Sequence, residues 1–334
     1  MLVGFMRNNL QPTIMAELAA KIGKFDGMDI IYFHPNDIDM ENDKINAKSF
    51  IGDKWVSVET GIPKLIDISP FCFKFSNVTK YLRSKAVLTD NGLNRISKEE
   101  LQEILLKDEV YSRYVIPTKP IEAFSDIEMF LQEHKEIVVK PVYSQRGQGV
   151  YRIKKNKDNY SVGFKTTEKT MDSSELETLY EDEIKDAKHI AQKFVYSRTK
   201  NDDPFDCRIH TEKDRNGKWQ IARIYVRIGI GQKVISNVNQ GGGIADVVPF
   251  LKANFPNWTA IHEKLKSFGK SFPYKMETIR KTNLMTLGVD IGIDKDGELY
   301  IFEANSAPAT NSIKAEVTLL RCGYYQHLIE TKVK

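Results

Sequence analysis

The stretch Gly288-Val-Asp-Ile-Gly-Ile-Asp-Lys-Asp-Gly-Glu-Leu-Tyr-Ile-Phe-Glu-Ala-Asn305 alternates apolar and polar residues on either side of Asp296-Gly297. Period-two alternation marks a strand with one buried face, and Asp-Gly is a favoured two-residue hairpin turn. The stretch therefore predicts an antiparallel hairpin. A turn centred on Asp296-Gly297 sets Ile291 opposite Phe302 and Ile293 opposite Tyr300 on an apolar face suited to a core. On the other face Asp290 stands directly opposite Glu303, with Asn305 two residues further along.

Directly opposed carboxylates have Cβ atoms only ~4.5–5.5 Å apart and repel. Two remedies exist, a raised pKa on one partner or a bound cation. Asn305 favours the cation, because its amide oxygen adds a neutral hard ligand beside two anionic ones. Mg²⁺ commonly takes one or two carboxylates and completes its shell with water and phosphates. Gly288 and Gly292 share this face and predict close approach of a ligand to the backbone. The plain alternative is the exposed polar face of an ordinary hairpin.

Three other segments carry anion-binding chemistry. Val138-Val139-Lys140-Pro141 reads as a strand ending in a lysine, and a loop with Gly147 and Gly149 follows it. Such a loop can close over phosphates with backbone N–H groups and an ammonium as donors. It lacks the Gly-Lys-Ser/Thr of a P-loop. Asp206 and Arg208 share a strand face opposite Cys207, and a regular strand puts Arg223 and Arg227 on one face. Arginine's planar fork suits phosphate or carboxylate, although a lone arginine is more often a surface ion pair. Asn237 and Gly241–Gly243 form a bare loop that invites close packing against its backbone.

The rest of the chain supplies the frame. Leu2–Met6, Asp29–Phe33 and Lys64–Ile68 read as apolar strands, with a helix over Thr13–Lys24 after Pro12, which predicts a parallel α/β layer. Asp90-Asn91-Gly92 marks a boundary. Ser97 with Glu100, and Ser125 with Glu128, have the spacing of capping boxes. A polar hairpin or loop over Lys154–Lys169 and a charged helix over Ser173–Lys188 follow. From Val138 onward the pattern is otherwise mostly strands joined by turns.

Composition removes other classes. The 334 residues carry 49 basic and 45 acidic side chains, a net charge of +4. These charges are interleaved, which argues against nucleic acid as a partner. No run approaches the ~18–20 apolar residues of a membrane span, and the N-terminus lacks a signal-peptide core. Cys72, Cys207 and Cys322 are too scattered for a disulfide framework or zinc site. The chain reads as soluble and cytoplasmic. None of the six histidines has metal or triad spacing.

Taken together, these residues resemble the ATP-grasp superfamily, and within it the YheC/YheD-type endospore coat-associated proteins. Asp290, Glu303 and Asn305 carry the D-x12-E-x-N spacing of the superfamily's metal ligands. The resemblance implies an N-terminal pre-ATP-grasp α/β domain over residues 1–95, followed by a two-lobed α+β ATP-grasp unit. Its small lobe with the phosphate loop would span 96–190 and its large lobe with the metal site 191–334.

The resemblance also implies roles. Lys140 matches the lysine on the nucleotide phosphates, with Val138 on the adenine side of the same strand. Lys98 resembles an earlier nucleotide lysine. Gln192, Lys193, Phe194 and Val195 match the hinge strand that meets the adenine edge, and Phe302 would line the base pocket. Arg208 resembles the arginine near the reacting phosphate, and Arg227 and Asn237 correspond to the Arg and Asn of the R-x-G and N-x-x-x-G-G motifs. Ser144 and Gln145 stand where the family's flexible loop carries Gly-Ser.

The function implied is an ATP- and Mg²⁺-dependent carboxylate–amine ligase acting through an acyl phosphate. Its partners would be a nucleotide, a carboxylate substrate and an amine such as an amino acid or peptide. An ATP-grasp kinase and an ATP-binding coat protein without turnover are the alternatives. The loops expected to select substrate are Asn201–Pro204 and Asn237–Gly243, with part of the N-terminal domain.

Overall fold

The computed structural model describes residues 1–142, 149–229 and 242–333. Among them the strands form three sheets, of seven, six and five strands. In the first, Leu2–Met6 lies at the centre, parallel to Asp29–Phe33 on one side and Leu65–Ile68 on the other. These strands are buried almost throughout, as expected for parallel strands covered on both faces. Helix Ile14–Phe25 makes the crossover, and the Thr13 hydroxyl caps it by accepting from the Ala16 N–H. An antiparallel hairpin, Lys44–Ile51 with Lys54–Gly61, extends this sheet at its edge. Its Gly52-Asp53 turn has positive φ at both residues, the conformation that matches the strand twist.

The second sheet runs in the order Thr167–Met171, Tyr160–Phe164, Tyr151–Lys155, Glu136–Pro141, His189–Lys193, Thr118–Ile121, antiparallel throughout. Ile137, Val139, Ile153 and Ala191 point into one core beneath helix Phe124–His134. The period of two then leaves Val138, Lys140 and Gln192 on the opposite face. The strand His189–Lys193 carries this sheet across position 190/191, where the lobes were expected to divide. The Ser97–Glu100 capping box forms as predicted. The second one does not: helix Phe124–His134 begins one residue before Ser125, and the Asp126 carboxylate accepts from the Glu122 and Ala123 N–H groups instead.

The third sheet orders Gly243–Asp246, Trp219–Ile228, Phe205–Lys213, Thr286–Ile293 and Leu299–Asn305. Helices Val247–Asn254 and Trp258–Arg280 cover one face, sealing a core around Cys207, Ile209, Val289 and Ile291. The expectation of strands joined by turns past Val138 is corrected here. Trp258–Arg280 and the C-terminal helix Lys314–Lys332 are long, and Pro273 inside the first disguises its helical period. The C-terminal helix returns to the first sheet, where Cys322, Tyr325 and Leu328 pack against Val3, Phe5 and Ala16. Its Arg321 also grips buried Glu212 of the third sheet through two hydrogen bonds, 3.1 and 3.0 Å long. All three cysteines are free and buried. No described helix is long and apolar enough to cross a membrane.

Candidate functional site

Asp290 and Glu303 are register partners in the hairpin of Thr286–Ile293 and Leu299–Asn305, and Asn305 pairs with Gly288 on the same face. The expected register fails towards the tip. A β-bulge after Asp290 sets Ile291 opposite Ile301 and Ile293 opposite Leu299, so Phe302 is the extra residue. The bulge turns the Phe302 ring onto Gly292. A Cβ at Gly292 would lie 2.2 Å from that ring, and one at Gly288 would lie 2.5 Å from Pro308. These glycines therefore make room for protein side chains rather than for a ligand.

Positive side chains compensate the two carboxylates, a third remedy beside the two inferred from sequence. Arg208, beside Asp290 on the neighbouring strand Phe205–Lys213, grips its carboxylate with Nε and, at 3.0 Å, Nη2. Arg227 reaches the same carboxylate at 2.8 Å and donates through Nε to Asp206, its own register partner, at 2.7 Å. Burial pushes the Asp290 carboxyl up, but Arg208 and Arg227 outweigh it and hold the group below the usual carboxylate range. The same acids hold Arg227 firmly protonated against the pull of burial. Asp206, Arg227, Asp290 and Arg208 thus form an alternating ladder across three strands.

Glu303 meets a cation from elsewhere. Lys98, the first residue of helix Lys98–Leu106, places Nζ 2.7 Å from Glu303 Oε1. From the second sheet, the Lys140 Nζ donates to the Gln192 side chain at 2.8 Å, and Gln192 in turn donates to Thr118. Burial and the nearby Lys98 charge lower the Lys140 pKa to about 8, against the opposing pull of Glu303 and Glu99. Lys98, Lys140 and Glu303 therefore share one electrostatic neighbourhood.

Gln192 and Lys193 share the second sheet with Lys140, and Phe194 and Val195 follow directly. Val138 pairs with Gln192. In the expected hinge, the N–H groups of Lys193 and Phe194 donate to the carbonyls of Pro117 and Glu136. An incoming base edge would have to use carbonyls here, or the N–H of Val195. Arg152 stacks over the Phe194 ring at 4.5 Å. Gly149 takes φ +68°, a left-handed conformation that favours glycine. Gly147, Asn237 and the Ser144-Gln145 pair lie outside the described residues. Asp206 as the support of Arg227, and the Gln192 side chain as the anchor of Lys140, were not foreseen. Asp206 was findable, since Asp-x-Arg on one strand face presents both charges to the same neighbours.

Glu303 and Asn305 offer hard oxygen donors of the kind a divalent cation takes, whereas both oxygens of Asp290 are already held by Arg208 and Arg227. Residues 89–329 match the family of YheC/D-like ATP-grasp proteins. The chain belongs to the YheC/D-like ATP-grasp family. Its curated relatives include the endospore coat-associated protein YheC of Bacillus subtilis, 25% identical over 93% of this chain and 89% of the relative. YheD of the same organism is 22% identical over 64% of this chain, which spans about half of that relative's length. Among solved structures the family's fold is similar to the ATP-grasp ligase PsnB complexed with a precursor variant, Mg and ADP (10% identity, TM-score 0.55, 100% and 98% of the two chains). It is also similar to D-alanyl-alanine synthetase A of Vibrio cholerae (12%, 0.54, 100% and 98%). A RiPP-associated ATP-grasp ligase of Chryseobacterium gregarium, in complex with ADP and leader and core peptides, matches as well (12%, 0.51, 96% of each). The fold is that of the ATP-grasp ligases.

Proposed function

We propose that this chain is an ATP- and Mg²⁺-dependent ligase joining a carboxylate to an amine. The observation that carries the reading is the convergence of four cations, Lys98, Lys140, Arg208 and Arg227, with three carboxylates, Asp206, Asp290 and Glu303, from distant segments. With Glu99 also in the field of Lys140 the charges balance, so a bound magnesium–nucleotide complex would exchange ion pairs within the cluster rather than neutralise an excess.

Each residue then has a physical task. Asp290, Glu303 and Asn305 would hold Mg²⁺, which supplies charge neutralisation on the phosphates when bound. Lys140, held by Gln192, donates to the phosphates, and Val138, Phe302 and the 192–195 segment border the base. Arg208 and Arg227 offer guanidinium donors where negative charge grows on the transferring phosphoryl group. A substrate carboxylate oxygen attacks the terminal phosphorus and ADP leaves. The amine then adds to the acyl carbon, phosphate departs and the nitrogen loses a proton. Placement and charge carry these steps, so no protein nucleophile is needed.

The test is a screen of amino acids and short peptides for ADP release, followed by the mass of the product. Amine-dependent ADP release with an amide product supports the ligase. Phosphate transfer to an alcohol, or nucleotide binding with no turnover on any pair, overturns it. Association of this chain with a spore coat, as the names of its relatives state for those proteins, belongs to the same proposal.

A further inference from the structure

The third sheet is incomplete along one edge. Strand Trp219–Ile228 is paired with Phe205–Lys213 on both sides of a β-bulge at Ala222, but Gly243–Asp246 covers its other side only from Tyr225 to Ile228. Gly243–Asp246 stops there because the chain turns directly into helix Val247–Asn254. Among the described residues nothing pairs with the outer edge from Trp219 to Ile224. At ~3.3 Å per residue this gap is ~20 Å long, the length of an ordinary strand. The Trp219 N–H points away from the sheet and is satisfied by the Tyr274 hydroxyl at 3.3 Å, so the open stretch begins at Gln220.

A groove of about 690 Å³ runs along this gap, between the strand and the flank of helix Trp258–Arg280. Its floor is apolar, with Ile221, Ile224 and Val247. Its wall is basic: His262, Lys266 and Lys270 recur every four residues on one stripe of the helix, and Lys218 adds a charge at the strand's start. No described carboxylate lines the groove. Glu263, beside it, pairs with Lys266 at 3.0 Å and offsets one of these charges. At the strand's start the Asp214 carboxylate accepts from the Lys218 N–H and the Gln220 side chain, so the net positive lining is carried by the helix stripe.

We propose that this edge binds an extended, acidic segment of another polypeptide by strand addition. The segment takes the place that Gly243–Asp246 vacates. Its backbone would pair with Gln220–Ile224, following the bulge at Ala222 that brings Ile221 and Ile224 to one face, its apolar side chains would cover those two, and carboxylates would reach Lys266, Lys270 and Lys218. Main-chain pairing gives affinity in such additions and side-chain alternation gives specificity. The acidic class follows from the lysine stripe, since like charges across an interface are strongly disfavoured. The inference does not rest on the nucleotide site, which uses other residues.

The probe is a fluorescein-labelled short peptide alternating valine with glutamate, titrated against the full chain with and without Mg–ADP. Saturable anisotropy change below ~1 mM is expected, weakening as salt rises from about 50 to about 500 mM. Lys266→Glu with Lys270→Glu, both on the solvent side of the helix, should weaken binding at least about tenfold while the melting temperature is kept. N-methylation of alternate peptide amides should abolish it. Four results overturn the proposal: no saturable binding, equal binding of a valine–lysine peptide, binding indifferent to the double substitution, or binding indifferent to N-methylation. Self-association of the chain through this edge, abolished by the same substitutions, would also overturn it by assigning the groove to a second copy.

Discussion

Lys98 and Glu303 form an ion pair 2.7 Å long that ties the first helix of the ATP-grasp region to its last strand. Both side chains are partly exposed, so the pair adds at most ~1 kcal/mol to stability. Its interest is positional. A cation already stands beside the carboxylate that the family pattern assigns to the metal, and Lys140 lies in the same field.

Replacing Glu303 should therefore separate function from folding. Glu303→Ala is expected to change the melting temperature of the free protein little. It should remove the part of the nucleotide-induced rise that depends on magnesium, since a ligand stabilises only by binding the native state. Thermal melts with ADP, in magnesium and then in chelator, read this out. An unchanged magnesium-dependent rise would show that the hairpin is not the metal site.

On the proposed function, Lys140 would make the nucleotide affinity pH-dependent. Burial lowers its pKa to about 8, so an ammonium proposed to meet phosphate would be lost above that pH. ADP affinity should fall about tenfold between pH 7 and pH 9, and Lys140→Arg, charged throughout, should flatten the profile. Unfolding does not explain the loss. Between about 8 and the ordinary lysine value the unfolded chain binds the extra proton, so this group's contribution to stability improves as pH rises. Titrations of both proteins across the range decide the point.

Arg321 and Glu212 hold the C-terminal helix to the third sheet in full burial. Burial pushes the Glu212 carboxyl up, yet Arg321 and His210 outweigh it and leave it below its usual value. A depressed carboxylate contributes stability above its unfolded pKa, near 4.3, and loses that contribution as pH falls through the folded value. The wild type should therefore weaken in acid below about pH 4. Arg321→Ala leaves an uncompensated buried charge and should cost about 3–5 kcal/mol at neutral pH. Urea unfolding at pH 7 and at about pH 3 measures both effects.

How much of this was legible in sequence depended on whether a feature was local. The opposition of Asp290 to Glu303 follows from alternation and a turn, and the structure keeps it. The bulge one residue later was not readable, because an extra residue leaves composition and period nearly unchanged. Gly288 and Gly292 were misread for a related reason: Pro308 and Phe302 fill their space, and only the folded contacts show that. The counter-ions of Asp290 come from strands far away in sequence, so opposed carboxylates suggested metal where arginines also serve. The Gly52-Asp53 turn, by contrast, was a local signal that went unused.

The bulge itself can be tested. Gly292→Ala drives a methyl group into the Phe302 ring and should destabilise the protein by about 1–3 kcal/mol. Adding Phe302→Ala should recover part of that loss, giving a favourable coupling in a double-mutant cycle. Simple additivity of the two substitutions would place the ring elsewhere.

On the proposed function, one magnesium–nucleotide complex lies between Lys140 of the second sheet and the carboxylates of the third. Calorimetric titration of Mg–ADP into the purified chain measures this directly. Saturable binding in the wild type, lost in Lys140→Ala and weakened by chelation of magnesium, is the predicted result. Absence of binding at millimolar nucleotide, or equal binding by Lys140→Ala, would contradict it.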